Sequence, residues 1–336
     1  MEATDAAGNK ATQKLEFTID TMVSEPTIAL DSTDDSGTKD DNLTNVNKPR
    51  FILGNIDADA RYVTVEVQHG GTKEVLTATK SATGIWSVIP TGLWADGSYT
   101  LTVRVEDEAG NEKYSAPLTV MVDTQVTIDN VELVNDSGVK GDNLTNDANP
   151  QFRVTVPVDV NEVSLSIDGG VTWVKAMQSA TPGVWNYTWP RAVADGDYTL
   201  TVKATDNAGN TVTKTLGFTI DTTLSTPVIV LDSVDDSGVP GDNMTNRTQP
   251  TFNLQHIDDD AVSVTVSVEY GGVTTTFDAT KGAGGWTFTP PVSWVDGDYI
   301  LSVSVKDAAG NTSHSTPLKV TIDTHIGIDN IELVND

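Results

Sequence analysis

Apolar and polar residues alternate in short runs along this chain, with the two-residue period of a half-buried strand and not the 3.6-residue period of a helix. Val63-Thr64-Val65-Glu66-Val67 alternates cleanly until Gly70-Gly71 breaks it, and Tyr99-Thr100-Leu101-Thr102-Val103-Arg104-Val105 does the same. Gly, Asp, Asn and Pro separate the runs, and these are the residues that make turns. Between residues 22 and 124 the pattern predicts strands at 23–30, 49–53, 63–67, 75–79, 85–89, 99–105 and 117–122. Seven strands in about 100 residues is the count of an immunoglobulin-like β-sandwich.

The pattern recurs. Asp136-Ser137-Gly138-Val139-Lys140-Gly141-Asp142-Asn143-Leu144-Thr145-Asn146 has counterparts beginning at Asp35 and Asp236, spaced 136 − 35 = 101 and 236 − 136 = 100 positions apart. Asp5-Ala6-Ala7-Gly8-Asn9 returns at Asp107–Asn111, Asp206–Asn210 and Asp307–Asn311, and Asp20-Thr21 returns at Asp123, Asp221 and Asp323. Fixed self-similarity of this kind decides the architecture. The expectation is an all-β, tandem array of immunoglobulin-like sandwiches of about seven strands each. Modules are expected at 22–124, 125–222 and 223–324, flanked by the end of a preceding repeat (1–21) and the first strand of a following one (325–336). Both termini are therefore expected to cut through a longer array. No Gly/Ser-rich or Pro-rich tether separates the modules.

Asp96-Gly97-Ser98-Tyr99, Asp195-Gly196-Asp197-Tyr198 and Asp296-Gly297-Asp298-Tyr299 each place a Tyr at the start of the sixth strand, where a tyrosine corner would tie the preceding connection. Two residues later, where antibody domains carry cysteine, stand Leu101, Leu200 and Leu301. Trp86, Trp185 and Trp286 also recur and are expected in the cores.

Composition narrows the function. Forty-eight acidic residues against 20 basic ones give a formal net charge of −28. That excludes nucleic acid and anionic membrane surfaces as natural partners, because both require basic patches. With 38% hydrophobic residues the chain is not a disordered acidic tract. It has no cysteine, which suits a bacterial secreted protein stabilised by metal as well as an intracellular one. Residues 1–5 do not form a signal peptide, and no stretch is long and apolar enough to insert in a membrane. An export signal or anchor is expected outside this sequence.

The acid is concentrated in loops. In a sandwich of this topology the first and last strands end at the same pole, so the loop carrying Asp35, Asp41 and Asn42 should meet Asp123. The next module would add Asp159, Asp206 and Asn210. The same logic gathers Asp136, Asp142, Asn143, Asp221 and Asp307 at the second joint, with Asp258 to Asp260 close by. Asp20 with Asp107, and Asp236, Asp242 and Asn243 with Asp323, hold the equivalent positions at the two ends. Crowded carboxylates repel, and a hard divalent cation reverses the sign. Oxygen ligands of this kind suit Ca²⁺, whereas zinc and copper would need Cys or clustered His. Ordinary turn chemistry also explains any single loop, since Asp and Asn cap amides and Gly supplies positive φ. Convergence of three acidic elements favours calcium. A further site within each module would use Asp96, Asp195 with Asp197, and Asp296 with Asp298. Elsewhere Asp57, Asp59 and Asp258 to Asp260 are simplest as solvated loop acids.

No nucleophile signature or phosphate-cradling loop occurs, and His69, His256, His314 and His325 occupy unrelated repeat positions, so catalysis is not expected. Trp173 and Trp189 have no counterparts in the other modules and would be the sugar-stacking residues of a lectin-like module. Spacer domains of a surface hydrolase are the remaining alternative.

The motif set Asp-Ser-Gly-x-x-Gly-Asp-Asn-Leu-Thr-Asn, Asp-Gly-x-Tyr-x-Leu-x-Val and Asp-x-Ala-Gly-Asn resembles the bacterial Ig-like (BIg) repeats of giant type I-secreted, non-fimbrial surface adhesins. The resemblance covers essentially the whole chain. It implies a secreted, surface-retained, monomeric rod stiffened by Ca²⁺ and serving virulence, whose full-length protein engages a host-cell surface receptor, expected to be a glycan. Asp40 departs from the pattern, standing where the other copies have Gly141 and Gly241.

Overall fold

In the computed structural model, residues 1–327 are described, so residues 328–336 of the expected following strand lie outside them. They separate into two compact units. One comprises 1–129, 156–163 and 203–213, and the other 130–155, 164–202 and the chain from 214 onward. Every regular element among the described residues is a strand. The fold is all-β, a tandem series of immunoglobulin-like sandwiches.

In the first unit β1 (Glu2–Thr4) and β2 (Lys10–Thr12) form an isolated hairpin. The first repeat then supplies β3 (Thr27–Leu30), β4 (Leu43–Thr44), β5 (Phe51–Gly54), β6 (Ala60–His69), β7 (Thr72–Thr77), β8 (Thr79–Lys80), β9 (Trp86–Val88), β10 (Gly97–Asp107), β11 (Glu112–Tyr114) and β12 (Leu118–Val122). One sheet has the order β3-β5-β9-β8. The other has the order β4-β12-β10-β6-β7, with β11 paired to β10. The run expected as one strand at 75–79 is split: the chain leaves β7 in one sheet and enters β8 in the other. The short β4 was not expected. It pairs in parallel with the end of β12, and Thr44 O accepts the Asp123 amide at 2.9 Å.

Alternation becomes burial. Along β10 every second residue from Tyr99 to Asp107 is buried while its neighbours are half-exposed. Phe51, Val65, Leu101, Val103 and Val120 lose all solvent contact, and each such apolar side chain stabilises the sandwich by about 1.5–3 kcal/mol. The tyrosine corner is present: Tyr99 Oη donates to Ala95 O at 3.0 Å. Trp94 stacks on Tyr99 with ring centroids 4.0 Å apart. Gly97, with φ +139°, leaves room for the His69 ring, whose Cε1 would lie 2.9 Å from a Cβ added there. Trp86 is only partly buried, packed against this core beneath the Lys80 amine.

In the second unit, Asn130–Leu133, Gln151–Thr155, Val184–Thr188 and Met177–Gln178 form a four-stranded sheet. The third repeat reproduces the plan of the first, with strand orders Val228–Leu231, Phe252–Gln255, Gly285–Phe288, Thr280–Gly282 and Met244–Thr245, Leu318–Ile322, Gly297–Asp307, Ala261–Tyr270, Val273–Asp278. Phe152 and Phe252 repeat the buried position of Phe51, and Leu200 and Leu301 that of Leu101. Tyr198 Oη and Tyr299 Oη donate to Ala194 O and Val295 O at 2.8 and 3.1 Å. Trp185 is buried and Trp286 partly so.

Candidate metal centre

The site grows from the hairpin after the sixth strand. Asp107 ends β10, and its Oδ1 accepts the Asn111 amide at 2.8 Å while Oδ2 accepts Asn111 Nδ2 at 2.7 Å. Gly110 between them has φ +89°, the left-handed region that favours glycine. Asp206 with Asn210, Asp307 with Asn311, and Asp5 with Asn9 repeat these bonds. Asp107, Asp206 and Asp307 are buried.

Each repeat's Asn also reaches backward. Asn111 Nδ2 donates to Asp20 O at 3.2 Å, Asn210 Nδ2 to Asp123 O at 2.9 Å, and Asn311 Nδ2 to Asp221 O at 2.9 Å. The aspartate closing one repeat's last strand is thus held against the hairpin of the next. A third carboxylate comes from the loop before the third strand. Carboxylate oxygens of Asp20, Asp59 and Asp107 lie within 4.8 Å of one another in the first unit, and those of Asp221, Asp260 and Asp307 do so in the second.

The electrostatics fit three like charges held together. The side-chain bond from Asn111 keeps the Asp107 carboxyl below the usual range. Asp59 is pushed up: a backbone hydrogen bond opposes the shift, but desolvation, the contact with Asp20 and the charges of Asp20 and Asp107 outweigh it. Desolvation pushes Asp260 up, with a backbone bond opposing and the charges of Asp307 and Asp221 adding to it. At the equivalent place in the second repeat, desolvation raises Asp123; a bond from Gln125 opposes this, and Asp206 and Asp159 reinforce it. Asp159 Oδ1 there is buried with no hydrogen-bond partner among the described residues. Asp123, Asp159 and Asp206 are not drawn as close as the other two triads, but an orphaned carboxylate oxygen on Asp159, with the charges of Asp159 and Asp206 both acting on Asp123, belongs to a donor set that fits a hard cation.

The acids of the Asp-Ser-Gly loop are not brought into these triads. Asp35, Asp136 and Asp236 each turn Oδ2 to an amide within their own loop, that of Asp40, Gly141 or Gly241 at 2.6 Å. Their Oδ1 atoms are buried and unpartnered among the described residues. Lys39 and Lys140 place their amines on Asp35 O and Asp136 O, whereas the third copy has Pro240 at that position. Asp41, Asp142 and Asp242 cap the amides two residues on. Asn42, Asn143 and Asn243 sit at φ +59°, +61° and +57° and accept strand amides through their carbonyls. Asp323 Oδ1 accepts the His325 amide at 3.2 Å.

The corner acids are taken up by the protein. Asp96, Asp195 and Asp296 accept from Thr124, Thr222 and Thr324, and Asp197 and Asp298 accept from Thr219 and Thr321. Trp189 packs edge-on against Phe152 and Tyr187, and Trp173 lies over Gly170 in its own hairpin.

The family model of the bacterial Ig-like domain matches the chain three times, over residues 22–124, 125–222 and 223–324. The chain belongs to this family. These bacterial Ig-like repeats are similar to a solved tetra-tandem repeat from the extending region of a large adhesion protein, at 19% identity over 96% of this chain and 80% of that one, TM-score 0.35. A structure of a 1.5-MDa bacterial ice-binding adhesin is similar at 19% identity over 90% and 98%, TM-score 0.36. Domains from titin are similar at 10% identity over 90% and 100%, TM-score 0.38. No curated protein matches the chain.

Sequence reasoning put Asp159 at the first joint and Asp258 to Asp260 close to the second, but read Asp59 as a solvated loop acid and did not single out Asp260 as a ligand. Asp57 and Asp258, two positions earlier, are used as caps: they accept the amides of Ser24 and Ser225 at 2.6 and 2.7 Å. The available signal was the second bacterial Ig-like repeat, which replaces the capping acid with Pro157 and keeps Asp159.

Proposed function

We propose that this chain is a rod-forming, calcium-stiffened repeat segment of a secreted bacterial surface adhesin that attaches to host cells. The observation that carries the calcium reading is the pair of carboxylate triads, each drawn from the end of one repeat and two loops of the next. Six to eight oxygens around Ca²⁺ are within reach of such a set, with backbone carbonyls and water completing it. Asp20, Asp59 and Asp107 would hold one ion, Asp123, Asp159 and Asp206 a second, and Asp221, Asp260 and Asp307 a third. The orphaned Oδ1 atoms of Asp35, Asp136 and Asp236 mark a further position in each Asp-Ser-Gly loop.

Extracellular calcium modules bind at about 10⁻⁴ to 10⁻³ M, so the joints would be loaded outside the cell and empty in a low-calcium cytosol. The chain itself contributes the stiffening. A shared ion ties the end of one sandwich to the loops of the next and removes the repulsion that would otherwise bend the joint. No catalytic role is assigned to any residue.

The adhesin assignment rests on membership of the bacterial Ig-like family together with the motif set, which most resembles that of SiiE, the non-fimbrial adhesin of Salmonella exported by a type I system. Attachment would be a property of the full-length protein, through a glycan receptor on the host cell. Calcium titration by calorimetry tests the central part. Asp260→Asn removes one charge from a triad, and because affinity follows ligand charge it should weaken one site by about tenfold or more. Identical isotherms for the variant and the parent would overturn the assignment.

A further inference from the structure

The outermost strand of a sheet carries one row of unpaired backbone donors and acceptors, and it attracts other strands unless charge, brevity or proline guards it. The three repeats differ at one such edge. In the first, β7 ends its sheet and carries Lys73 and Glu74. Glu74 stands opposite the buried Val67 on the core-facing side, and its Oε1 accepts the Thr91 hydroxyl at 3.0 Å. In the second, the corresponding strand Val174–Lys175 has two residues, one of them a lysine. In the third, Val273–Asp278 has six residues, and Val273-Thr274-Thr275-Thr276-Phe277 contains no charge. Thr275 stands there in place of Glu74, and Pro291 in place of Thr91. No described strand pairs with its free edge.

The hairpin fixes which groups face that edge. Gly271 and Gly272, at φ +58° and +79°, make a two-residue turn, so Tyr270 and Val273 form its hydrogen-bonded pair. Hydrogen-bonded and unbonded pairs then alternate along the hairpin. The odd-numbered amides turn inward, as the Ala279 amide on Val264 O at 2.9 Å does, and the amides and carbonyls of Thr274 and Thr276 face out. Side chains alternate between the two faces of the sheet. Thr276 meets Ser267 on the solvent face. Val273, Thr275 and Phe277 lie on the core-facing side, where with Tyr270, Trp294 and the exposed Val292 they line an apolar pocket of about 330 Å³.

We infer that this edge pairs antiparallel with the same strand of a second copy of the chain, about a two-fold axis through Thr275. Such a contact is isologous, and the strand is complementary to itself in this register. Val273 of one copy faces Phe277 of the other, Thr274 faces Thr276, Thr275 faces Thr275, and Asp278 faces Gly272, so no two like charges meet. The Thr274–Thr276 pairs supply the hydrogen bonds between copies, and Val273 and Phe277 extend the apolar rim of the opposite pocket. A pairing with β7 would instead set Glu74 beside that pocket, and Val174–Lys175 offers only two residues. One pair of strands is a small contact, so the dimer forms with rising concentration.

The absence of cysteine makes disulfide trapping specific. Facing residues of an unbonded pair stand about 4.5 Å apart at Cα, within the span of a disulfide. Thr275→Cys in the full chain should therefore form the linked dimer several-fold faster than Thr276→Cys, whose two copies stand diagonally, about 7–8 Å apart. Sedimentation velocity of the parent, from micromolar to near-millimolar concentration, should show a monomer–dimer equilibrium. Thr275→Glu, which restores the charge of the first repeat, and Thr274→Pro, which removes an outward amide, should each keep the chain monomeric with native circular dichroism. A parent that stays monomeric throughout would overturn the inference. Equal trapping at positions 275 and 276, or a dimer that survives either substitution in a folded chain, would overturn it as well. EDTA throughout keeps the result independent of the calcium reading.

Discussion

The residue that best separates local chemistry from ligand chemistry is Asp168. Its carboxylate accepts from the amides of Val171 and Thr172 and from the hydroxyls of Ser166 and Thr172, and the bonds from Thr172 hold its pKa far below the ordinary carboxylate range. A depressed folded-state pKa means stability that is present above the unfolded value and lost as pH falls through the folded one. Asp168→Asn should lower the melting temperature at neutral pH and flatten its decline in acid, as thermal scans between pH 7 and pH 2 would show. An equal decline in the parent and the variant would leave the carboxylate without that role. Two of the triad acids behave oppositely, Asp59 and Asp260 being pushed up by desolvation and by the charges beside them. Sequence alone could not divide the two classes. Asp57 and Asp59 are both loop acids in the chain, yet one is consumed by Ser24 and the other faces Asp20 and Asp107.

At the scale of elements, alternation was enough to find the long strands, because each buries one face. β6 begins earlier and ends later than the periodic run, since its ends pair without being buried, and β10 runs on to Asp107, a buried carboxylate that adds no apolar signal. β4 had no signal: two residues carry no period, and its place is set by a parallel pairing with β12 across the sandwich edge. The split between β7 and β8 was hidden for a related reason, as Ala78 is buried at the point where the chain changes sheets. The glycines at the corner after Asp96, Asp195 and Asp296 were legible, their φ values being +139°, +145° and +143°. Leu101, Leu200 and Leu301 fill the position where antibody domains use a disulfide, so here cohesion rests on packing. Leu101→Ala should therefore cost the first repeat about 2–5 kcal/mol. Urea unfolding would measure it, and a loss below about 1 kcal/mol would mean that the position collapses without penalty.

For the whole molecule the governing quantity is charge. A formal net charge of −28 disfavours compaction and is tolerable where the acids are spread over loops or neutralised. The buried ones among the proposed ligands, Asp35, Asp107, Asp136, Asp206 and Asp307, sit in loops or at strand ends and not among the apolar core side chains, so removing calcium should leave the strands intact and free only the joints. Circular dichroism should accordingly be unchanged by EDTA. Small-angle X-ray scattering from the full chain, in millimolar calcium and again in EDTA, tests the central claim most directly. The account predicts a stiff, extended profile with calcium and a broader distribution of interatomic distances without it. Superimposable profiles in the two conditions would contradict it.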